Sequence, residues 1–320
     1  MTDDQCALGI WIVADHLGFD LSVTAPFRLD FTVAALQRWP QNALDQWDGQ
    51  CYRRVLIFGT RPHAVCISQR CASRTPTLEV EISAPRIAAT ARENTISVLQ
   101  RTLGLQLDLA PFYRLAKRHP RLLALVRPFI GMRPPSFPTL HEALVSAVAC
   151  QQISLPLGIR LLNRLAEAYG IAVSRRRASR HAFPRPETLA QLKPVDLRTL
   201  GFSMQKARTV IGLSCLLIEG RLWPEDIENV DDAAIHNHLC AVTGVGPWTA
   251  DYVFLRGLGR LNVFPVNDSG ALNGIKAWLG IKYTPDQKQL CRILAPWRPY
   301  AGMIYFHLLL RKLHAQSDMN

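Results

Sequence analysis

Leu239-Cys-Ala-Val-Thr-Gly-Val-Gly-Pro-Trp-Thr-Ala250 is the stretch whose reading decides the fold. An apolar helical pattern runs into Gly244-Val245-Gly246, and a second helix begins at Pro247. Two glycines permit a turn too tight for side chains, and proline is favoured at the first helical position. The stretch therefore reads as helix, hairpin, helix. Backbone N–H groups from Gly244 to Trp248, Val245 and Gly246 included, then point outward at a helix N-terminus, which suits an anion such as a phosphate.

Working outward, the helical period continues in both directions. Ile87–Leu103, Pro111–Arg118, Leu140–Gln152, Leu157–Tyr169, Gln205–Glu219, Asp232–Val242, Pro247–Leu258 and Pro299–His314 carry apolar residues at helical spacing. The first hundred residues differ. Thr77–Ser83 and Phe27–Val33 alternate apolar and polar residues, as half-buried strands do. Cys51–Phe58 and His63–Arg70 read as two further strands joined by a turn around Gly59-Thr60-Arg61-Pro62. The expected fold is an α+β N-terminal domain with an antiparallel sheet over residues 1–100, followed by an all-α helix-hairpin-helix body over 101–320.

Charge is uneven along the 320 residues. Of the net +12, residues 101–200 carry +11, and 30 of the 37 basic side chains are arginine. A concentrated basic segment suggests a polyanion partner. Ser174–His181 holds three consecutive arginines and Arg180, and reads as a solvated loop, with phosphate contact as the alternative. The eight cysteines are scattered without a C-x-x-C pair, which argues for reduced thiols and against a zinc or iron–sulfur site. No apolar run is long enough to span a membrane, and Met1–His16 has no basic n-region. The expectation is a cytoplasmic protein.

Three further stretches stand out beside the hairpin and Val263-Phe-Pro-Val-Asn-Asp268. They are His141-Glu-Ala-Leu-Val-Ser-Ala-Val-Ala-Cys-Gln-Gln-Ile-Ser154, Leu200-Gly-Phe-Ser-Met-Gln-Lys-Ala-Arg208 and Trp297-Arg-Pro-Tyr300. Together these segments resemble the helix-hairpin-helix, Gly/Pro-rich, aspartate-dependent DNA glycosylases (HhH-GPD), and within them the bacterial 3-methyladenine DNA glycosylase II (AlkA-like) type. The resemblance covers about residues 100–315. It departs at Ala301, where many members have arginine.

That resemblance implies a monomeric enzyme that removes damaged bases, alkylated purines above all, from duplex DNA, and is nucleoid-associated when bound. Asp268, 20 positions after Trp248, matches the catalytic aspartate. A fixed carboxylate stabilises the positive sugar formed as an N-glycosidic bond breaks. The competing reading of Asp268 is a plain helix cap for Ser269–Leu279. Trp248 stands where strand-nicking members place lysine, and tryptophan cannot form an imine. Trp248, Tyr252 and Tyr300 are candidate walls for a flipped base, with core packing as the alternative. Gln152, with Ile153 beside it, is implied as the wedge that fills the emptied stack, with a buried glutamine satisfying a helix end as the alternative. Lys206 and Arg208 are candidates for a second phosphate contact, or else solvated helix charges. No cofactor or metal is implied, though the resemblance leaves room for a monovalent cation at the hairpin. Two rivals remain: a bifunctional oxidised-base glycosylase/lyase, and a non-catalytic DNA-binding module.

Overall fold

Side-chain alternation builds the sheet. Along Thr77–Ala84, Leu78, Val80 and Ile82 turn inward while Thr77, Glu79 and Glu81 turn outward. The computed structural model describes residues 10–12, 15–70, 75–175, 178–223 and 231–317. Cys6, Cys71 and the first residues read for a leader lie outside the described residues, as do Arg176 and Arg177 of the basic run.

In chain order the first elements are β1 (Ile10–Ile12), β2 (Asp15–Ser22), α1 (Leu29–Gln37), β3 (Gln46–Trp47), β4 (Cys51–Phe58), β5 (Arg61–Arg70) and β6 (Thr77–Ala84). Helices α2 (Ala91–Thr102), α3 (Ala110–Arg118), α4 (Pro120–Val126), α5 (Leu140–Cys150) and α6 (Leu155–Tyr169) follow. Then come β7 (Ala172–Arg175), β8 (Ala178–His181), α7 (Pro186–Ala190), α8 (Pro194–Thr199) and α9 (Met204–Ile218). The chain ends with α10 (Asp232–Cys240), α11 (Pro247–Arg256), α12 (Ser269–Leu279), α13 (Gln287–Leu294) and α14 (Ala301–Ser317).

β2-β6-β5-β4-β3 form a five-stranded antiparallel sheet, and most of the chain beyond it is helical. The β4–β5 turn is tighter than the sequence suggested. Phe58 pairs with Arg61, so only Gly59 and Thr60 lie in it, Gly59 at φ 62°. Two further differences have clear causes. Phe27–Val33, expected as a strand, opens α1, because Leu29, Thr32, Val33 and Leu36 form a helical stripe that is buried. Ser174–His181, expected as a loop, contributes its described residues to an antiparallel strand pair, β7 with β8. Its outer partner is β1, which pairs in parallel with β7 from more than 150 residues away and left no local trace.

Three large apolar clusters, with a small one of Val55, Val173 and Ala182, carry the core. One lies under the five-stranded sheet and takes Leu99 and Leu103 from the α2 end. A second joins α3, α4 and α12 to α14. The third joins α5, α6, α9, α10 and α11. Helix α1 is shared: Leu29, Val33 and Leu36 face the sheet cluster, and Ala35 faces the second cluster.

Candidate active site

The hairpin between α10 and α11 is pressed against α9. Gly244 has φ 88°, and a Cβ there would lie 2.0 Å from the Thr209 hydroxyl oxygen, so only glycine fits. Val245 is buried in the third cluster, and its amide donates to the Val242 carbonyl at 3.0 Å. Gly246, with open space above its Cα, is the N-cap of α11. The hairpin thus shows backbone rather than side chain on its outer face.

A second turn is bolted to it. The Gln151 side chain donates to the Gly244 carbonyl at 2.9 Å and to the Thr249 hydroxyl at 2.8 Å. Lys206 Nζ donates to the carbonyls of Ala149 and Gln151, at 2.9 and 2.7 Å, a cation at the C-terminal end of α5. Desolvation holds the Lys206 ammonium below its ordinary pKa. The structure therefore gives Lys206 an architectural task that its reading as a phosphate ligand did not include. With Gln151 anchored, the chain turns at Gln152, which is exposed and sits at φ 54°. A non-glycine residue in this region is uncommon, and such strain gathers at functional sites. Ile153 is half-buried against the third cluster.

Across the hairpin, Asp268 uses both oxygens. Oδ1 accepts the Ala271 amide at 2.8 Å and caps α12. Oδ2 accepts the Trp248 indole N–H at 3.2 Å. Cap and site residue are thus the same carboxylate. Asp251, paired with His236 at 3.3 Å, accepts the Val266 amide and holds the segment leading to Asp268. Burial pushes the Asp251 carboxyl up, against the pull of His236.

Trp248 is half-buried and stacks on Tyr252, ring centroids 5.4 Å apart at 29°. Tyr252 is buried, and its hydroxyl accepts from Arg38. Tyr300 packs against Phe112 in the second cluster, 5.5 Å between ring centroids, with no described contact to Trp248 or Asp268. Sequence reading missed Tyr305 on α14. Desolvation pushes its phenol up, and the Asp268 carboxylate and Tyr252 push it further, while Arg256 and Arg38 pull it down. It therefore lies within electrostatic reach of both sides of the site. An apolar helix such as α14 carries no sign of this. Gln151 was legible only as part of its motif. No helix among the described residues is long and apolar enough to cross a membrane. No cluster of three or more His, Cys, Asp or Glu suited to a metal occurs among them.

The profile of the HhH-GPD superfamily base excision DNA repair proteins matches residues 145–299, which takes in the Gln151 turn, the hairpin and Asp268. A DNA-3-methyladenine glycosylase of Bacillus subtilis is 31% identical over 217 residues, 68% of this chain and 72% of that protein. The chain belongs to this glycosylase family. A probable bifunctional transcriptional activator/DNA repair enzyme AlkA of Mycobacterium tuberculosis is 29% identical over 297 residues, 92% of this chain and 57% of that longer protein. In fold, the chain resembles the 3-methyladenine DNA-glycosylase from Archaeoglobus fulgidus, with a TM-score of 0.79, 20% identity, and 91% and 97% of the two chains covered. That last likeness is one of fold and, at 91% of the chain, takes in the N-terminal sheet as well as the helices.

Proposed function

We propose that this member of the family is a monofunctional DNA glycosylase that removes alkylated purines from duplex DNA, with Asp268 as its essential group. One observation carries the reading: the Asp268 carboxylate is fixed by the first turn of α12 and faces the indole of Trp248, at the position where an imine-forming amine would stand in a lyase. Breaking the N-glycosidic bond builds positive charge on the sugar, and a preorganised carboxylate stabilises it without moving. Water then adds to the sugar. The hairpin amides around Gly246 bind a phosphate, Gln152 enters the vacated stack, and Trp248 walls the flipped base. The relatives named for 3-methyladenine support the alkylated substrate class. The protein acts as a monomer without a cofactor.

The test is base release from methylated duplex DNA, read as strand breaks after hot alkali. Asp268→Asn should keep the cap, since asparagine caps about as well as aspartate. It should still bind DNA while base release falls on the order of 10²–10³-fold. Borohydride should trap no covalent adduct with the wild type. A trapped adduct, or wild-type release by Asp268→Asn, overturns the mechanism.

A further inference from the structure

Behind Tyr252, where α1 meets α11, the protein buries more positive than negative charge. Arg54 pairs with both Asp45 and Glu142. Arg38 and Arg256, 4% and 0% exposed, form no ion pair among the described residues. Arg38 donates to the Tyr252 hydroxyl and lies 5.5 Å from the Phe137 ring centroid. Arg256 donates to the Ala35 carbonyl at 2.9 Å and lies 5.8 Å from the Tyr252 ring. Nε of Arg38, and Nε and Nη1 of Arg256, have no partner among the described residues. Guanidinium does not lose its proton in proteins. Three buried cations thus face two carboxylates, Asp45 and Glu142, a formal excess of one. Arg38 also sits at φ 62°, a strained position for a side chain of its size. Packing α1 on α11 requires none of this, because apolar side chains would do it at lower cost.

The opposite side of the same aromatic wall is negative. Trp248 stacks on Tyr252 and points its N–H at Asp268. Tyr252 and Tyr305 each feel Asp268 together with Arg38 and Arg256. The contacts run from the Asp268 carboxylate at the edge of Trp248, through the stacked Trp248 and Tyr252 rings, to the guanidinium pair.

We propose that Arg38 and Arg256 form a fixed positive pole opposite Asp268, and that this pole sets selectivity between neutral and cationic damaged bases. The inference rests on the assignment of Asp268 and the aromatic wall made above. When the C1′–N bond breaks, its electron pair goes to the base. The sugar gains one positive charge and the base becomes one unit more negative: a cationic base leaves neutral, and a neutral base leaves as an anion that takes a proton from water. A second water adds to the sugar and gives up its proton. A field with Asp268 at the sugar and guanidinium behind the base favours this displacement in both cases. Binding differs. A cationic base is repelled by the pair, whereas a neutral base is not. Tyr252 is buried, stacked on Trp248 and beside the protein's own cation, so that ring has little left to offer a cationic base.

Two measurements test this. Affinity is read with duplexes whose damaged nucleotide is 7-methylguanine (cationic) or hypoxanthine (neutral) on a 2′-fluorinated sugar, which resists cleavage. Chemistry is read as the single-turnover rate on the ordinary sugars. Arg38→Met should slow both lesions by about 10- to 100-fold. It should tighten binding of the cationic duplex by about 10-fold and leave the neutral one unchanged. Arg38→Lys, which keeps the charge, should restore the wild-type ratio of affinities. Equal losses in both rates and both affinities would reduce Arg38 to a fastener between α1 and α11 and overturn the proposal, as would no change at all. If Arg38→Met does not fold, the wild type decides: it should bind the neutral duplex at least as tightly as the cationic one, and the reverse order overturns the proposal. Base release unaffected by Asp268→Asn would bring down the proposed function and the rate effect argued from it, while the affinity ratio, measured without cleavage, still tests the selectivity by itself.

Discussion

Arg53 and Arg54 are neighbours on β4 and meet opposite environments. Successive strand residues face opposite sides of a sheet. Arg53 turns to the outer face, where it pairs with Asp48, itself largely solvated. The backbone amides of Cys51 and Gln50 and the Arg53 guanidinium hold that carboxyl down at about 2. Arg70, between Asp20 and Glu79, belongs to the same outer face and is 59% exposed. Arg54 turns inward to the seam with the helices, where it joins Asp45 and Glu142, and Asp45 also accepts the Tyr52 hydroxyl at 2.8 Å. The outer pairs are open to water, Arg53 by 26% and Arg70 by 59% of the side chain, and cost less to break. The seam pair is dry, and breaking it strands charge. Arginine on this sheet is a solubilising residue on one face and a fastener to the glycosylase body on the other.

Arg54→Met should produce the largest change. It leaves Asp45 and Glu142 buried without their cation, and such losses cost about 3–5 kcal/mol. Urea unfolding should show this as a lower midpoint. A loss no larger than that of Arg53→Met would erase the contrast between the faces.

Acid sharpens the contrast. Burial holds His141 and His307 down at about 4, against an ordinary value near 6.5. The folded state therefore binds fewer protons than the unfolded one. Stability is full above pH 6.5 and is lost as pH falls towards 4, by up to about 3 kcal/mol for each histidine. Glu142 acts in the opposite sense. Burial pushes its carboxyl up more than Arg54 pulls it down, so its contribution is present at low pH and lost as pH rises. His307→Phe should flatten the fall in melting temperature between pH 6.5 and 4.5. An unchanged slope would show that His307 is charged in the folded protein.

The smallest effect belongs to the outer face. Arg53→Met or Arg70→Met should change stability by about 0–1 kcal/mol, and less at high salt. A larger loss would mean that the outer face carries part of the seam's load.

Legibility followed distance along the chain. The hairpin could be read because Gly244, Gly246 and Pro247 act on their own backbone. Asp268 could be read as the cap of α12 because an N-cap is a local pattern. Strands β4, β5 and β6 announced themselves by alternation. The start of α1 did not, because Phe27–Val33 satisfies a two-residue and a helical period at once, and only burial against the sheet selects between them. Lys206 lay in a recognisable motif, yet its partners are carbonyls at the end of another helix. Tyr300 was singled out and Tyr305 was not, and only their different surroundings tell them apart.

The sequence by itself determined the helix-hairpin-helix and the cap of α12 at Asp268, since each follows from backbone rules acting within a few residues. Only the tertiary structure decided what stands behind Tyr252. Arg38 lies 214 residues from the hydroxyl it holds. The energy of a buried charge depends on separation through space and on the water excluded around it, and neither is written in spacing along the chain.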